Sequence, residues 1–211
     1  RGKDVITFDH EHVPTDFLHT LMAEGVNVQP HPEALQYAQD KLLMRQAVER
    51  LGLPNPRWAQ VSTLDELLAF GDEIGWPVVL KTQRGGYDGK GVLVLDSPEE
   101  ARERSAAWFE QLPSRTDFSA LLAEEKVPFT RELSALVARR ESGEVRPWPV
   151  VETIQVNSIC DEVIAPAQDL DPEVAEAAAA TAVTIASELG VTGVMAVEMF
   201  EVPGSPAGFY I

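Results

Sequence analysis

The stretch Lys81-Thr82-Gln83-Arg84-Gly85-Gly86-Tyr87-Asp88-Gly89-Lys90-Gly91 puts four glycines within seven residues, between the runs Val78-Val79-Leu80 and Val92-Leu93-Val94. It is not a P-loop: the glycine spacing before Lys90 is wrong, and Lys90 is followed by Gly91 rather than Ser or Thr. Nor is it a dinucleotide fingerprint, because Gly89-Lys90-Gly91 leads into a strand and not a helix. A hairpin flap remains. Glycines let backbone N–H groups approach phosphate oxygens with no Cβ in the way and permit positive φ. Lys81 closes the preceding strand and can set an ammonium beside the same phosphates, with Arg84 and Lys90 adding charge. A surface hairpin with a wide turn is the plain alternative. The Val-Val-Leu-Lys strand, the aromatic–acid pair Tyr87-Asp88 and the cationic rim favour phosphate binding.

Working outward, Pro77 to Lys81 and Val92 to Leu95 read as the strands of that hairpin. Arg57 to Val61 and Leu121 to Val127 read as further strands. Thr63-x-x-Glu66 is a capping box before the stripe Leu64, Leu67 and Leu68. Ser97-Pro98-Glu99-Glu100 opens a second helix with a cap, a first-turn proline and acids at the positive dipole end. The order β-α-β-β-α-β makes a compact two-layer unit. Before it, Asp40 can cap a helix whose apolar stripe is Met44, Ala47, Val48 and Leu51. Earlier still, Val5 to Phe8 reads as a short buried strand, Pro14 to Ala23 as a helix and Val26 to Val28 as a strand ended by Pro30 and Pro32. This pattern looks like the end of a parallel α/β domain. After the unit come strands at Glu132 to Arg139, Pro149 to Val156 and Ile159 to Val163. An alanine-rich helix follows, from Asp171-Pro172-Glu173 to near Gly190. Met195 to Val202 and Phe209 onward then read as an antiparallel pair. The abrupt strand at each end suggests an excised or partial chain.

The flap pattern Lys-x-x-x-Gly-Gly-Tyr-Asp-Gly-Lys-Gly resembles that of the carboxyaminoimidazole ribonucleotide synthases within the ATP-grasp superfamily. So do Ile6-Thr7-Phe8-Asp9-His10-Glu11-His12-Val13-Pro14, Glu132-Leu133-Ser134 with Val137-Ala138-Arg139, Trp148-Pro149-Val150-Val151-Glu152, and Gly193-Val194-Met195-Ala196-Val197-Glu198-Met199-Phe200. These matches run in order along nearly the whole chain. Two positions depart from the family: Val92 stands where glutamine is usual, and Arg131 where the residue is commonly small or acidic.

The resemblance implies an α+β ATP-grasp fold, two α+β subdomains clamping ATP, with the remnant of an N-terminal α/β domain. Residues 1–39 would end that domain, 40–128 would form the linker helix and small subdomain, and 129–211 would begin the large catalytic subdomain. It implies a ligase of purine biosynthesis that uses ATP and bicarbonate, forms carboxyphosphate and carboxylates the amine of aminoimidazole ribonucleotide. By matching positions, Lys41 and Lys81 would touch ATP phosphates, and the loop Gly86, Tyr87, Asp88, Gly89, Lys90 and Gly91 would cover them. Glu124, Glu125, Lys126 and Val127 would form the adenine edge, partly through backbone groups. Glu132 would accept from the ribose hydroxyls, and Glu152 would take another nucleotide-contacting place. Glu198 would bind magnesium, with manganese as an alternative. Tyr87, Asp88, Lys90 and Glu11 would face the ribonucleotide, Asp88 handling a proton and Lys90 lying near the intermediate. The intact enzyme is expected to be a cytoplasmic homodimer. These residues alone are expected to bind ATP weakly and not to turn over.

Composition fits. The chain has 211 residues, 45% of them apolar and 24% charged, and a net charge of −17. That acidic balance speaks against a polynucleotide partner, while a few cations in one cleft can still hold phosphate. No apolar run approaches a membrane span of ~20 residues. The single cysteine, Cys160, cannot form an internal disulfide and reads as a small buried residue in a reducing compartment. His10 and His12 flank Glu11, but no third zinc ligand is evident. Glu132 and Glu152 could be solvated strand acids. Glu198 lies between Val197 and Met199, where a charge needs a metal or an ion pair. The alternatives are another ATP-grasp carboxylate–amine ligase, such as the formate-dependent glycinamide ribonucleotide transformylase, and a non-catalytic nucleotide-binding module. Tyr87-Asp88 in the flap argues against the first, and the retention of Asp88 and Glu198 against the second.

Overall fold

A computed structural model describes residues 2–85, 91–157 and 159–211. The expectations for Gly86, Tyr87, Asp88, Gly89 and Lys90 fall outside these residues. Among the described residues, no helix is long and apolar enough to cross a membrane.

The chain opens with helix α1 (Thr15–Ala23), preceded by extended Pro14. Val5 to Phe8 is not a buried strand. Val5 and Ile6 are 45% and 39% exposed, and Ile6 makes one parallel bridge to Val28. The bonds Ile6 N to Asn27 O (2.8 Å) and Gln29 N to Ile6 O (2.9 Å) are too few to order a ladder. The core here is Leu18, Val28 and Leu35. Leu35 belongs to α2 (Pro32–Gln39), where a terminator had been expected. Pro32 sits instead at the first helical turn, where its missing N–H costs nothing, and His31 Nδ1 accepts from Glu33 N.

Asp40 caps α3 (Lys41–Arg50), its Oδ1 accepting from Leu42 N and Leu43 N at 3.1 and 3.2 Å. The buried face is Leu42, Arg45, Ala47 and Val48, not the stripe through Met44 and Leu51. The helix is turned so that an arginine faces inward. Strand β1 (Trp58–Val61) follows, then α4 (Leu64–Ile74), whose capping box is complete in both directions. Strands β2 (Val78–Thr82) and β3 (Val92–Leu95), helix α5 (Pro98–Gln111), a 3₁₀ turn (Leu112–Ser114) and β4 (Leu121–Glu125) complete an antiparallel sheet of order β1-β4-β2-β3. Strand alternation divides its faces. Val78, Leu80, Leu121 and Ala123 pack with Leu67, Phe70 and Ala101 of α4 and α5. On the other face Leu122 and Ala120 pack with Leu42 of α3, and Trp58 lies against them.

The second sheet has order β10-β9-β5-β7-β8. Its strands are β5 (Arg131–Arg139), β6 (Val145–Pro147, paired only with β5), β7 (Val151–Val156), β8 (Ile159–Ile164), β9 (Gly193–Glu201) and β10 (Phe209–Tyr210). Helix α6 (Pro172–Glu188), capped by Asp171, covers one face through Ala178, Ala182, Ile185 and Ala186 against Leu133, Ala135, Val137 and Met199. The alanines do more than fill the helix, because their small side chains let it lie close to the strands. Gly208 is also held by close approach: a Cβ there would stand 2.5 Å from Val174. Cys160 is exposed, not buried, because it lies on β8 at the sheet edge.

Candidate functional site

On the α3 face of the small sheet, alternation places Lys81 of β2 on the same side as Leu122 and Glu124 of β4. Glu124 is 3% exposed. Its Oε2 accepts from Lys81 Nζ at 2.5 Å, and its Oε1 accepts from Arg45 Nε. Burial opposes ionisation of Glu124, but Lys81 and Arg45 outweigh it and hold the carboxyl below the ordinary glutamate range. Arg45 also donates through Nη1 to Asn55 Oδ1 (2.9 Å) and to the Ile211 carbonyl (2.5 Å).

Lys41 stands at the first turn of α3, where a cation opposes the helix dipole, so helix stability does not account for it. Its Nζ donates to Gly85 O at 2.6 Å, and its N–H donates to Gln83 O at 2.9 Å. Burial, and then the charge of Lys81, pull its pKa below the usual lysine value. Asp40 ties the same helix end to the flap stem, its Oδ2 accepting from Gln83 Nε2 (2.7 Å) and Arg84 Nε (3.3 Å). On the other side of the loop, Thr82 N donates to Gly91 O at 3.0 Å. The glycine loop is therefore anchored at both ends beside two partly desolvated ammonium groups and a helix N-terminus, an arrangement that attracts a polyanion.

Of the expected adenine edge, Glu124 is taken up by its cations. Glu125 is also engaged, its Oε1 and Oε2 accepting from Arg57 N (2.9 Å) and Nε (2.8 Å). Lys126 is exposed just beyond β4, and Val127 is buried.

On the large sheet, pairing of Ser134 with Glu198 and of Glu132 with Phe200 puts Glu132 and Glu198 on the face away from α6. Burial, then the negative charge of Glu198, push the Glu132 carboxyl above its usual range. Glu198 is exposed on this face. Phe129 stacks on Phe200 at 4.4 Å on this face. Glu152 is not brought to this group. It pairs with Leu133 across the ladder, so its side chain points to the α6 side. There Arg131 Nη1 reaches Glu152 Oε2 at 3.0 Å, and Arg131 Nε reaches Glu201 Oε2 at 2.6 Å. The departure at Arg131 thus has a structural use: it bridges two strand acids.

Glu11 and Arg84 both line a cavity of about 240 Å³ with His12, Thr15 and Gln39, at the flap stem. Gln39 Nε2 holds the segment by donating to Glu11 O (2.7 Å) and Val13 O (3.0 Å). Sequence reading missed Gln39, Arg45 and the flap contacts of Asp40. Only Arg45 carried a signal: an arginine spaced three residues from both Leu42 and Val48 implies a buried ion pair.

This arrangement has known counterparts. The chain is similar to the N5-carboxyaminoimidazole ribonucleotide synthase of Mycobacterium tuberculosis, 48% identical over 95% of this chain and 45% of the relative. It is also similar to that of Corynebacterium ammoniagenes, 47% identical over 94% of this chain and 47% of the relative. The chain spans about half the length of these curated relatives. A crystal structure of the Aspergillus clavatus N5-carboxyaminoimidazole synthase, in complex with ADP and 5-aminoimidazole ribonucleotide, superposes with a TM-score of 0.82 and 28% identity, over 98% of this chain and 51% of that one. The sequence model of the ATP-grasp domain matches residues 46–206, well over half the chain. From the two sheets, the anchored glycine loop and that match, the chain belongs to the ATP-grasp domain family.

Proposed function

We propose that the chain is the nucleotide-clamping portion of an N5-carboxyaminoimidazole ribonucleotide synthase. One observation carries the reading: Lys41 and Lys81 converge, half-buried, on the stem of a glycine flap in a chain 48% identical to enzymes of that name. In this reading ATP lies with its phosphates against both ammonium groups. A bicarbonate oxygen attacks the γ-phosphorus and ADP leaves, giving carboxyphosphate. The amine of aminoimidazole ribonucleotide then attacks the carboxyl carbon, phosphate departs, and Asp88 takes the amine proton. Carboxyphosphate is short-lived in water, so the site must exclude solvent before it forms. Glu132 holds the ribose hydroxyls, and its partial burial suits a hydrogen-bonded carboxylate. The ribonucleotide sits in the cavity between Glu11 and Arg84. The exposed carboxylate of Glu198 fits Mg²⁺ or Mn²⁺, which takes hard oxygen ligands shared with phosphates and would neutralise their charge. The intact enzyme works as a homodimer. Glu152 is assigned to the scaffold rather than to the nucleotide.

The test is a chimera in which these residues replace the matching half of the C. ammoniagenes enzyme. With ATP, Mg²⁺, aminoimidazole ribonucleotide and ¹³C-bicarbonate, it should yield the N-carboxylated product by NMR. A folded chimera that binds ATP but forms none of this product would refute the substrate assignment.

A further inference from the structure

We propose that Arg45 is a positioning residue of the phosphate site: it stays with the buried Glu124 carboxylate when Lys81 turns to a phosphate, and so allows Lys81 to leave. The proposal rests on the nucleotide reading above. Glu124 carries one cation on each oxygen, and the two cations differ in freedom. The Lys81 side chain is 20% exposed and lies near the end of β2, next to the flap stem. Its ammonium sits on a flexible four-carbon stem that can swing. The Arg45 side chain is 4% exposed and is pinned by Asn55 and by the Ile211 carbonyl. Its planar fork leaves it one arrangement. Arg45 is therefore the fixed counter-ion and Lys81 the exchangeable one.

The consequence follows from burial. A buried carboxylate stripped of all its partners is strongly disfavoured. With Arg45 in place, movement of Lys81 to a phosphate leaves Glu124 still paired. Without Arg45, the same movement strands the carboxylate, and Glu124 retains Lys81 in competition with the phosphate. Arg45 has its effect at the phosphates through Glu124 and Lys81 and needs no contact with the nucleotide.

The experiment is calorimetric titration of wild type, R45M, R45K, E124Q and R45M/E124Q with ATP and with adenosine, each variant checked for folding by circular dichroism. R45M should weaken ATP binding by about tenfold or more and leave adenosine within about twofold, because only phosphate binding requires Lys81 to move. R45K should recover part of the loss, since it restores the charge without the fork. R45M/E124Q should bind ATP within about threefold of E124Q, because no carboxylate remains to retain Lys81. The proposal is overturned if R45M binds ATP like wild type, if adenosine weakens in parallel, or if the double variant is no better than R45M. Should R45M not fold, the E124Q background decides: there R45M must be silent toward ATP, and a loss of about tenfold sinks the idea. Failure of wild type to bind ATP would instead remove the nucleotide reading itself, and this proposal with it.

Discussion

Replacing Lys81 by methionine keeps most of the side chain and deletes its charge, which separates the two tasks assigned to it. The first is binding. A charge-assisted contact to phosphate contributes about 1.5–3 kcal/mol, so the Kd for ATP should rise roughly ten- to hundredfold. The second is stability. Lys81 Nζ lies 2.5 Å from Glu124 Oε2, and that carboxylate's side chain is 4% exposed. Removing one partner of a fully buried pair costs about 3–5 kcal/mol. Here Arg45 remains on the other oxygen and Lys81 is one-fifth exposed, so the loss should be smaller, about 1–2 kcal/mol. The pH dependence has a definite sign. Glu124 has a depressed pKa in the folded chain, so its contribution is present above the ordinary glutamate pKa and is lost as pH falls through the folded value. Deleting Lys81 raises that folded value toward the unfolded one, so the acid loss becomes smaller and ends at higher pH, and the stability difference from wild type must narrow as pH falls. The assays are ATP calorimetry at neutral pH and urea denaturation from about pH 7 down to about pH 3. An unchanged Kd, or a stability difference that stays constant over that range, would refute the linkage of Lys81 to both the phosphate and Glu124.

Gly71→Ala should destabilise the small subdomain by about 1–3 kcal/mol through overpacking, because the new methyl would lie 2.3 Å from the Trp76 ring; thermal unfolding reads this, and an unchanged melting temperature would be the contrary result. In the intact enzyme, Asp88→Asn should leave ATP binding nearly intact and abolish carboxyl transfer, and product formation within about threefold of wild type would show that Asp88 is not catalytic. Glu198→Gln should weaken ATP binding in the presence of Mg²⁺ and leave it unchanged in EDTA, since only the metal-bridged contact needs the carboxylate; equal effects in both buffers would count against metal ligation.

What the chain determines alone is local. The capping box of Thr63 and Glu66, the caps at Asp40, Ser97 and Asp171, and the apolar runs of β2, β5 and β9 rest on neighbours a few residues away; the caps appear where the residues place them, and the strands begin and end within two residues of the expected bounds. The glycine loop could likewise be recognised from spacing, because backbone freedom at a glycine is a property of that residue. Helix α2 went unread because a proline that closes a strand can equally open the helix that follows. Ladder register and helix rotation lie beyond such reasoning. Glu132 and Glu152 look alike as strand acids, yet the β5–β7 register sends them to opposite faces, one toward the open side with Glu198 and one to Arg131. Arg45 and Glu124 are 79 residues apart and meet only because α3 packs across β4. Burial and ion pairing depend on long-range approach, so the sequence supplied the groups able to bind a phosphate, and tertiary packing decided which carboxylate holds Lys81 and which cation remains when it moves.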